Sequence, residues 1–341
     1  MKNLLILIIS ITLSIIVFSA LNVPLAWLLG PIFCSTVLSF NNIYFKIPIE
    51  IWNLTRVIMG IYLGSKINSD FFINLSKWSG SFFILIILII LSIICMSYIY
   101  RKFGSFDLPT SISSSTPGGM TSIFLAVEEI GGKIDSKKHF ITHLTRIFLV
   151  VSFVPFFVKF LMYDVAIEYD KEIIFNFEII EIIKLLIIAL IFSYISYKIR
   201  LPAPIFLGSI IGSGLMYGLG YTSYDLPDLG LNICLIMIGC VIGFRFHDYR
   251  LKDFLKNIKF GMISFIILMF LTFLFSYLSS IIFNLDFLSL FMSYVPGGIY
   301  EMTGIAISFD YEVDFILAHH LVRLFVLILF IPIICKFFFR K

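Results

Sequence analysis

Charged residues are scarce in this sequence. Asp, Glu, Lys and Arg make up 13% of its 341 residues, hydrophobic residues make up 60%, and the mean hydropathy is +1.05. A soluble globular chain carries about 25% charge. The deficit excludes a soluble fold and marks an all-α, polytopic membrane protein. The formal net charge of +4 is spread over loops along the chain, with no block of Lys and Arg. No nucleic-acid partner is therefore expected. Apolar segments use nearly the whole length, which leaves no room for a separate soluble catalytic domain.

Cysteine and histidine are also sparse. Cys34, Cys95, Cys234, Cys240 and Cys335 stand apart in apolar runs, so neither a disulfide framework nor a metal cluster is implied. The histidines are His139, His143, His247, His319 and His320. The last two are adjacent, so on a helix their side chains point about 100° apart, and no third ligand accompanies them. No metal, no cofactor and no enzymatic activity are expected.

What the chain has in abundance is apolar runs of helix length, in two halves. The first half offers spans at about 4–20, 24–40, 49–66 and 79–100, a Pro-Gly-Gly element at 107–130, and a span at 139–161. The second repeats this order at about 180–198, 202–219, 229–246, 260–283, 287–309 and 315–338. Residue matches support a duplication. Thr116-Pro117-Gly118-Gly119 returns as Val295-Pro296-Gly297-Gly298, and Pro24 to Gly30 as Pro202 to Gly208. Gly60 and Gly64 return as Gly239 and Gly243, and His143-Leu144-Thr145-Arg146 with Pro155 as His320-Leu321-Val322-Arg323 with Pro332. The expected organisation is a membrane repeat over 1–162, a loop over 163–178 and a second repeat over 179–341. Lys2 and the apolar run to Ala20 have the outline of a signal peptide. Residues 182–198 hold the matching place inside the second half, so a retained span is expected instead.

Loop charge bears on topology. If both Pro-Gly-Gly elements span, the loop Lys and Arg divide almost evenly between the two sides. If each element enters and leaves on one side as a re-entrant hairpin, only Lys66, Lys77 and Lys171 fall on one face, and all other loop Lys and Arg fall on the opposite one. That is the asymmetry of the positive-inside rule. It predicts cytoplasmic termini, five spans plus one hairpin per half, and inverted repeats whose hairpins enter from opposite faces. The second arms, about 118–130 and 299–309, would be roughly 15–20 Å long and bring their tips near the midplane.

Backbone broken inside a bilayer survives only where it is buried in protein or faces water. Pro117 and Pro296 cannot donate a hydrogen bond, and Gly118, Gly119, Gly297 and Gly298 let backbone turn tightly or approach a ligand. A helix N-terminus after each Gly pair favours an anion, and freed carbonyls near Thr116 and Val295 suit Na⁺ or a proton-carrying water. The bland alternative is that the glycines only let two tips pack closely. Arg146 and Arg323, each one turn after a His, either bind an anionic substrate, neutralise hairpin carboxylates, or sit near span ends and reach headgroups. Glu301 is the carboxylate beside the second turn, matched by Ser122 in the first; it suits a coupling proton or a simple helix-dipole partner. Arg56 lies within the third span opposite Leu235 in the repeat, with no nameable partner.

The paired Pro-Gly-Gly elements, the segments starting at Pro24 and Pro202, and His319 to Arg323 with Pro332 resemble the AbrB-duplication membrane family. Its members carry the labels AbrB-family transcriptional regulator or ammonia monooxygenase. The resemblance covers both repeats and implies an integral protein of the bacterial inner membrane. The family's Pro-Gly-Gly-Met matches Pro117 to Met120; its following acidic residue is kept as Glu301 and replaced by Ser122 in the first copy. Direct regulation would need a DNA-reading element and a monooxygenase would need clustered copper or iron ligands, and the residues offer neither.

The leading expectation is a secondary transporter working by alternating access on a small polar or anionic solute, coupled to H⁺ or Na⁺. Its site would draw on Thr116, Pro117, Gly118, Gly119, Thr121, Pro296, Gly297, Gly298, Glu301, Arg146 and Arg323, with Glu301, His143 and His320 carrying the coupling ion. The alternative is a membrane-embedded regulator that influences gene expression indirectly. Expected partners are the lipid bilayer, a small-molecule solute and, in a homo-oligomer, further copies of the chain.

Overall fold

A computed structural model describes residues 2–67, 71–129, 132–162 and 178–339. The loop expected over 163–178 lies almost wholly outside them. No strand occurs among the described residues. The first half contributes α1 (Lys2–Ala20), α2 (Ala26–Phe40), α3 (Ile49–Gly64), a short α4 (Phe71–Lys77), α5 (Ser79–Gly104), α6 (Leu108–Ser115), α7 (Met120–Glu129) and α8 (Ser136–Leu161). The second contributes α9 (Ile179–Lys198), α10 (Pro204–Gly218), α11 (Asp228–Phe244), a 3-10 turn at Arg245–Asp248, α12 (Leu251–Phe283), α13 (Phe287–Tyr294), α14 (Ile299–Ser308) and α15 (Val313–Phe339). Six helices are long and apolar enough to cross a membrane: α5, α8, α9, α11, α12 and α15.

The two halves match element for element, down to unusual backbone. Leu25 and Ala203, which precede α2 and α10, are left-handed with φ of 51° and 48°. Ser105 and Asn284, which end α5 and α12, are left-handed with φ of 49° and 51°. Positive φ is uncommon outside glycine, so its return at matched positions carries the duplication from residue types into backbone. Each of these turns redirects the chain into an Asp-headed short helix. Asp107 precedes α6, and Asp286 caps α13 by accepting from the Ser289 N–H at 2.7 Å.

The chain divides into two compact units that do not follow the halves. One comprises Met1–Lys77, Pro155–Arg245 and Thr303–Asp314. Within it α2 packs on α1 and α10 on α9, while α2 also lies against α11 and α10 against α3. Lipid is as apolar as a leucine side chain, so helices gain little from mere hydrophobicity there; they gain by close contact at small residues. That is the pattern here. A Cβ added at Gly60 or Gly64 would run into the Ser209 or Ser213 side chain, and one added at Gly243 into Ser35. One added at Gly239 would lie 2.7 Å from the Leu28 carbonyl. The hydroxyl hydrogen of Ser39 is shared between Ser35 O at 2.7 Å and Gly243 O at 3.0 Å.

The other unit comprises Trp78–Val154, Phe246–Met302 and Phe315–Lys341. Here α5 and α12 pack together, with α6 laid on α5 and α13 on α12. Met96, Tyr100, Phe106, Phe260 and Leu268 form one buried cluster, in which the Tyr100 and Phe106 rings stack at 5.1 Å. The start of α8 lies beside the start of α6: the Asp135 N–H donates to the Thr110 hydroxyl at 2.8 Å, and Lys138 Nζ donates to Ser105 O at 3.1 Å.

Candidate functional site

Both Pro-Gly-Gly elements fall between two short helices in the second unit. Thr116 turns extended after α6, with φ −64° and ψ 132°, because a proline follows and disfavours helical backbone. Val295 does the same after α13, with φ −51° and ψ 133°. The chain then folds tightly around each proline: the Gly118 N–H donates to Thr116 O at 3.0 Å and the Gly297 N–H to Val295 O at 2.8 Å. Gly118 sits at φ +119° and Gly119 at +65°, and the first of these is open to glycine almost alone. Gly119 and Gly298 accept the first bonds of the next helices, from Ile123 N at 2.8 Å and Met302 N at 3.0 Å.

Each broken end is held by a His-Arg pair from the long helix that follows. On α8, Arg146 Nη2 donates to Thr116 O at 2.6 Å, and its Nη1 lies 3.4 Å from Ser114 O. On α15, Arg323 donates to both Val295 O and Gly297 O. His143 Nε2 donates to Ser113 O at 3.0 Å, and His320 Nε2 to Met292 O at 3.1 Å. Since a carbonyl can only accept, Nε2 carries the hydrogen in each ring. Nδ1 therefore accepts from the neighbouring arginine, at 2.8 Å for His143 and 2.6 Å for His320. Thr116 O and Val295 O thus each accept two bonds, one from backbone and one from arginine. These are the carbonyls that the sequence offered to Na⁺, and their lone pairs are taken.

The two tips face one small cavity. Pro117, Pro296, Tyr294, Ser92, Thr272 and the Arg323 side chain are among its lining, and its volume of ≈ 10 Å³ is close to what a single water needs. A Cβ added at Gly118 would lie 3.9 Å from Arg323 Nε, so the first tip sits beside the arginine that holds the second.

Glu301 follows the second tip in the third position of α14. Its carboxylate curls back over Gly298, where an added Cβ would collide with it. It is 6% exposed and close enough to attract Arg323. Arg146 is fully buried, and no carboxylate among the described residues forms a salt bridge with it.

Comparison with known proteins follows the same repeats. The family model described as "Transition state regulatory protein AbrB" matches residues 1–72 and 27–339. The chain belongs to the AbrB family. Among its relatives, the Bacillus subtilis (strain 168) protein titled "Uncharacterized protein YhjN" is 24% identical over 295 residues, covering 82% of this chain and 76% of its own. The Escherichia coli (strain K12) protein titled "Putative regulator AbrB" is 22% identical over 327 residues, covering 94% and 92%. No solved structure matches.

The remaining expected residues of this AbrB-family protein are placed unevenly. Thr116 is buried, and its hydroxyl donates back to Ser113 O at 2.8 Å. Thr121 is exposed at the start of α7, and the Ser122 side chain lies outside the described residues. Arg56 belongs to the other unit, where it donates to Asn53 Oδ1 and lies over the Trp52 ring at 5.7 Å. No group of three His, Cys, Asp or Glu side chains is disposed to hold a metal among the described residues. His139 was not expected to take part. It lies one turn before His143 on the same face, and its Nε2 donates to Met120 O at 3.0 Å, tying the start of α7 to α8. The i, i+4 spacing of His139 and His143 was the available signal.

Proposed function

We propose that this protein is a secondary transporter of a small anionic solute, with its site where the two Pro-Gly-Gly tips meet. The observation that carries this is a charge imbalance. Arg146 and Arg323 are 0% and 4% exposed, Glu301 is the carboxylate that attracts one of them, and carbonyl bonds spread the positive charge without cancelling it. A buried cation without a counter-charge is costly, and a passing anion supplies one. Glu301 is the group best placed to exchange a coupling proton.

Uptake into proteoliposomes, from a panel of small carboxylates and inorganic anions under an imposed pH or Na⁺ gradient, tests this. Saturable uptake of one class is expected, and Glu301→Gln is expected to remove its pH-gradient dependence. Uptake no better than in protein-free vesicles, or uptake untouched by both Arg146→Gln and Gly118→Ala, would overturn the reading.

We read each half as five spans and one re-entrant hairpin, the halves inverted, in the bacterial inner membrane with cytoplasmic termini. The loop charge supports this, as does the bonding of Asp135 to Thr110 and Lys138 to Ser105, which brings the exit of the first hairpin back to its entrance. Single cysteines at Ser136 and Glu312, in a protein lacking its native cysteines, are expected to label from opposite faces. Labelling from one face would mean full spans and parallel halves.

The relatives' titles favour a second reading, regulation of gene expression. With nearly all of the chain in apolar helices it would act indirectly, through transport or through a partner at the membrane. A transcript change that persists in an uptake-dead variant would separate this from transport.

A further inference from the structure

Away from the tips, the second unit carries a wide groove of ≈ 830 Å³ along the outer side of α5 and α6. Its walls are apolar for most of its length. Ile93 and Ile112 are buried in it, and Ile90, Ile94 and Tyr98 stand 50%, 62% and 60% exposed along it. At one end the lining changes to Arg101 and Lys102, in the last turn of α5. Lys102 Nζ donates to the Tyr98 hydroxyl at 3.0 Å and lies over that ring at 5.3 Å, so the ammonium is drawn toward the mouth of the groove. Arg101 is exposed, and neither residue forms a salt bridge with a carboxylate among the described residues.

An apolar trough about eleven residues long on a helix spans roughly 16 Å, and it ends in two cations at a helix C-terminus. The groove has room for an acyl chain, and the cations have the charge for a phosphodiester beside it. Basic pockets at the cytoplasmic ends of membrane helices are the usual seat of anionic headgroups. We propose that this groove binds one anionic phospholipid, with its phosphate on Arg101 and Lys102 and an acyl chain along Ile90, Ile94 and Ile112. The site lies against the first hairpin. Ser115, the last residue of α6, spends its hydroxyl hydrogen on Ile112 O at 2.7 Å, so Ser97 is the donor in the 3.0 Å bond between Ser97 and Ser115 hydroxyls. A lipid in the groove thus covers the side of the helix that leads into Thr116 and Pro117. None of this depends on the protein being a transporter.

Native mass spectrometry of the full-length protein in detergent, titrated with phosphatidylglycerol and separately with phosphatidylcholine, tests the proposal. The first phosphatidylglycerol is expected to bind about 30-fold tighter, the effect of two juxtamembrane cations. Arg101→Gln with Lys102→Gln is expected to erase that preference, and Ile94→Trp to weaken both lipids. Lys252→Gln with Lys256→Gln, equally cationic but outside the groove, is the control and should leave the preference intact; a melting temperature unchanged from wild type shows that each variant is folded. Equal affinity for the two lipids, or a preference lost equally in the control, overturns the proposal. So does a dimer that Ile94→Trp dissociates while lipid binding stays the same, which would give the groove to a second copy of the chain.

Discussion

Arg323→Ala is expected to destabilise the protein by about 3 kcal/mol and to abolish uptake. The carbonyls of Val295 and Gly297 each lose a charged donor, and His320 Nδ1 loses the N–H it accepts. A buried acceptor left without its partner costs about 1–3 kcal/mol, partly offset because a buried guanidinium is also removed. Arg323→Lys keeps the charge, but one ammonium cannot fork across three acceptors, so an intermediate loss is expected. Thermal melting in detergent measures the stability, and amide exchange over 294–302 should accelerate in step with it. Melting of Arg323→Ala indistinguishable from wild type would show that the hairpin backbone is held by something other than this clamp. His320→Ala should cost less, and the double variant less than the sum of the two, since both side chains serve the same broken end.

The second large effect is expected in the other unit. Gly64→Ala and Gly243→Ala are expected to cost about 3 kcal/mol each, at the upper end of ordinary overpacking. In both, the new methyl group meets a serine side chain that can rotate and backbone that cannot. For Gly64 the backbone neighbour is Gly214 N at 2.7 Å, and for Gly243 it is Ile32 O and Thr36 N, both at 2.7 Å. The contacts of α3 with α10 and of α2 with α11 share no partner residue here, so the double variant should lose about 6 kcal/mol. Ser35→Gly is expected to rescue Gly243→Ala only in part, because the backbone clash stays. Gly218→Ala, whose nearest neighbour would be 3.9 Å away, is the control and should be close to neutral. A Gly243→Ala variant as stable as the control would mean that the helices separate freely.

Much of this architecture was legible in the residues. Apolar runs placed the long helices within a few positions, because a membrane segment is set by length and hydropathy, which are local properties. The Pro-Gly-Gly pairs located both breaks, since proline and the glycines act on the backbone where they stand. The matched Gly60/Gly64 and Gly239/Gly243 marked a repeat, but not that each pair packs on a helix of the opposite half; pairing between distant segments is not written in local composition. The site was read least completely at the arginines. Spacing put His and Arg on one face, yet their targets are backbone carbonyls, which every residue has and no sequence pattern singles out. His139 escaped for the same reason, since its partner is Met120 O.

Neither compact unit is a continuous piece of chain: the backbone passes between them after Lys77, Val154, Arg245, Met302 and Asp314. This bears on how the protein is made. A ribosome that has delivered the first half has completed neither unit, because α3 still lacks α10, α2 still lacks α11, and α5 still lacks α12. Glycine-lined faces shaped for tight contact, together with the arginine of α8, must wait in the bilayer until the second half is inserted. Final assembly is therefore post-translational in character even in a chain inserted as it is synthesised, and a nascent chain stalled between α8 and α9 would present incomplete interfaces for quality control to recognise.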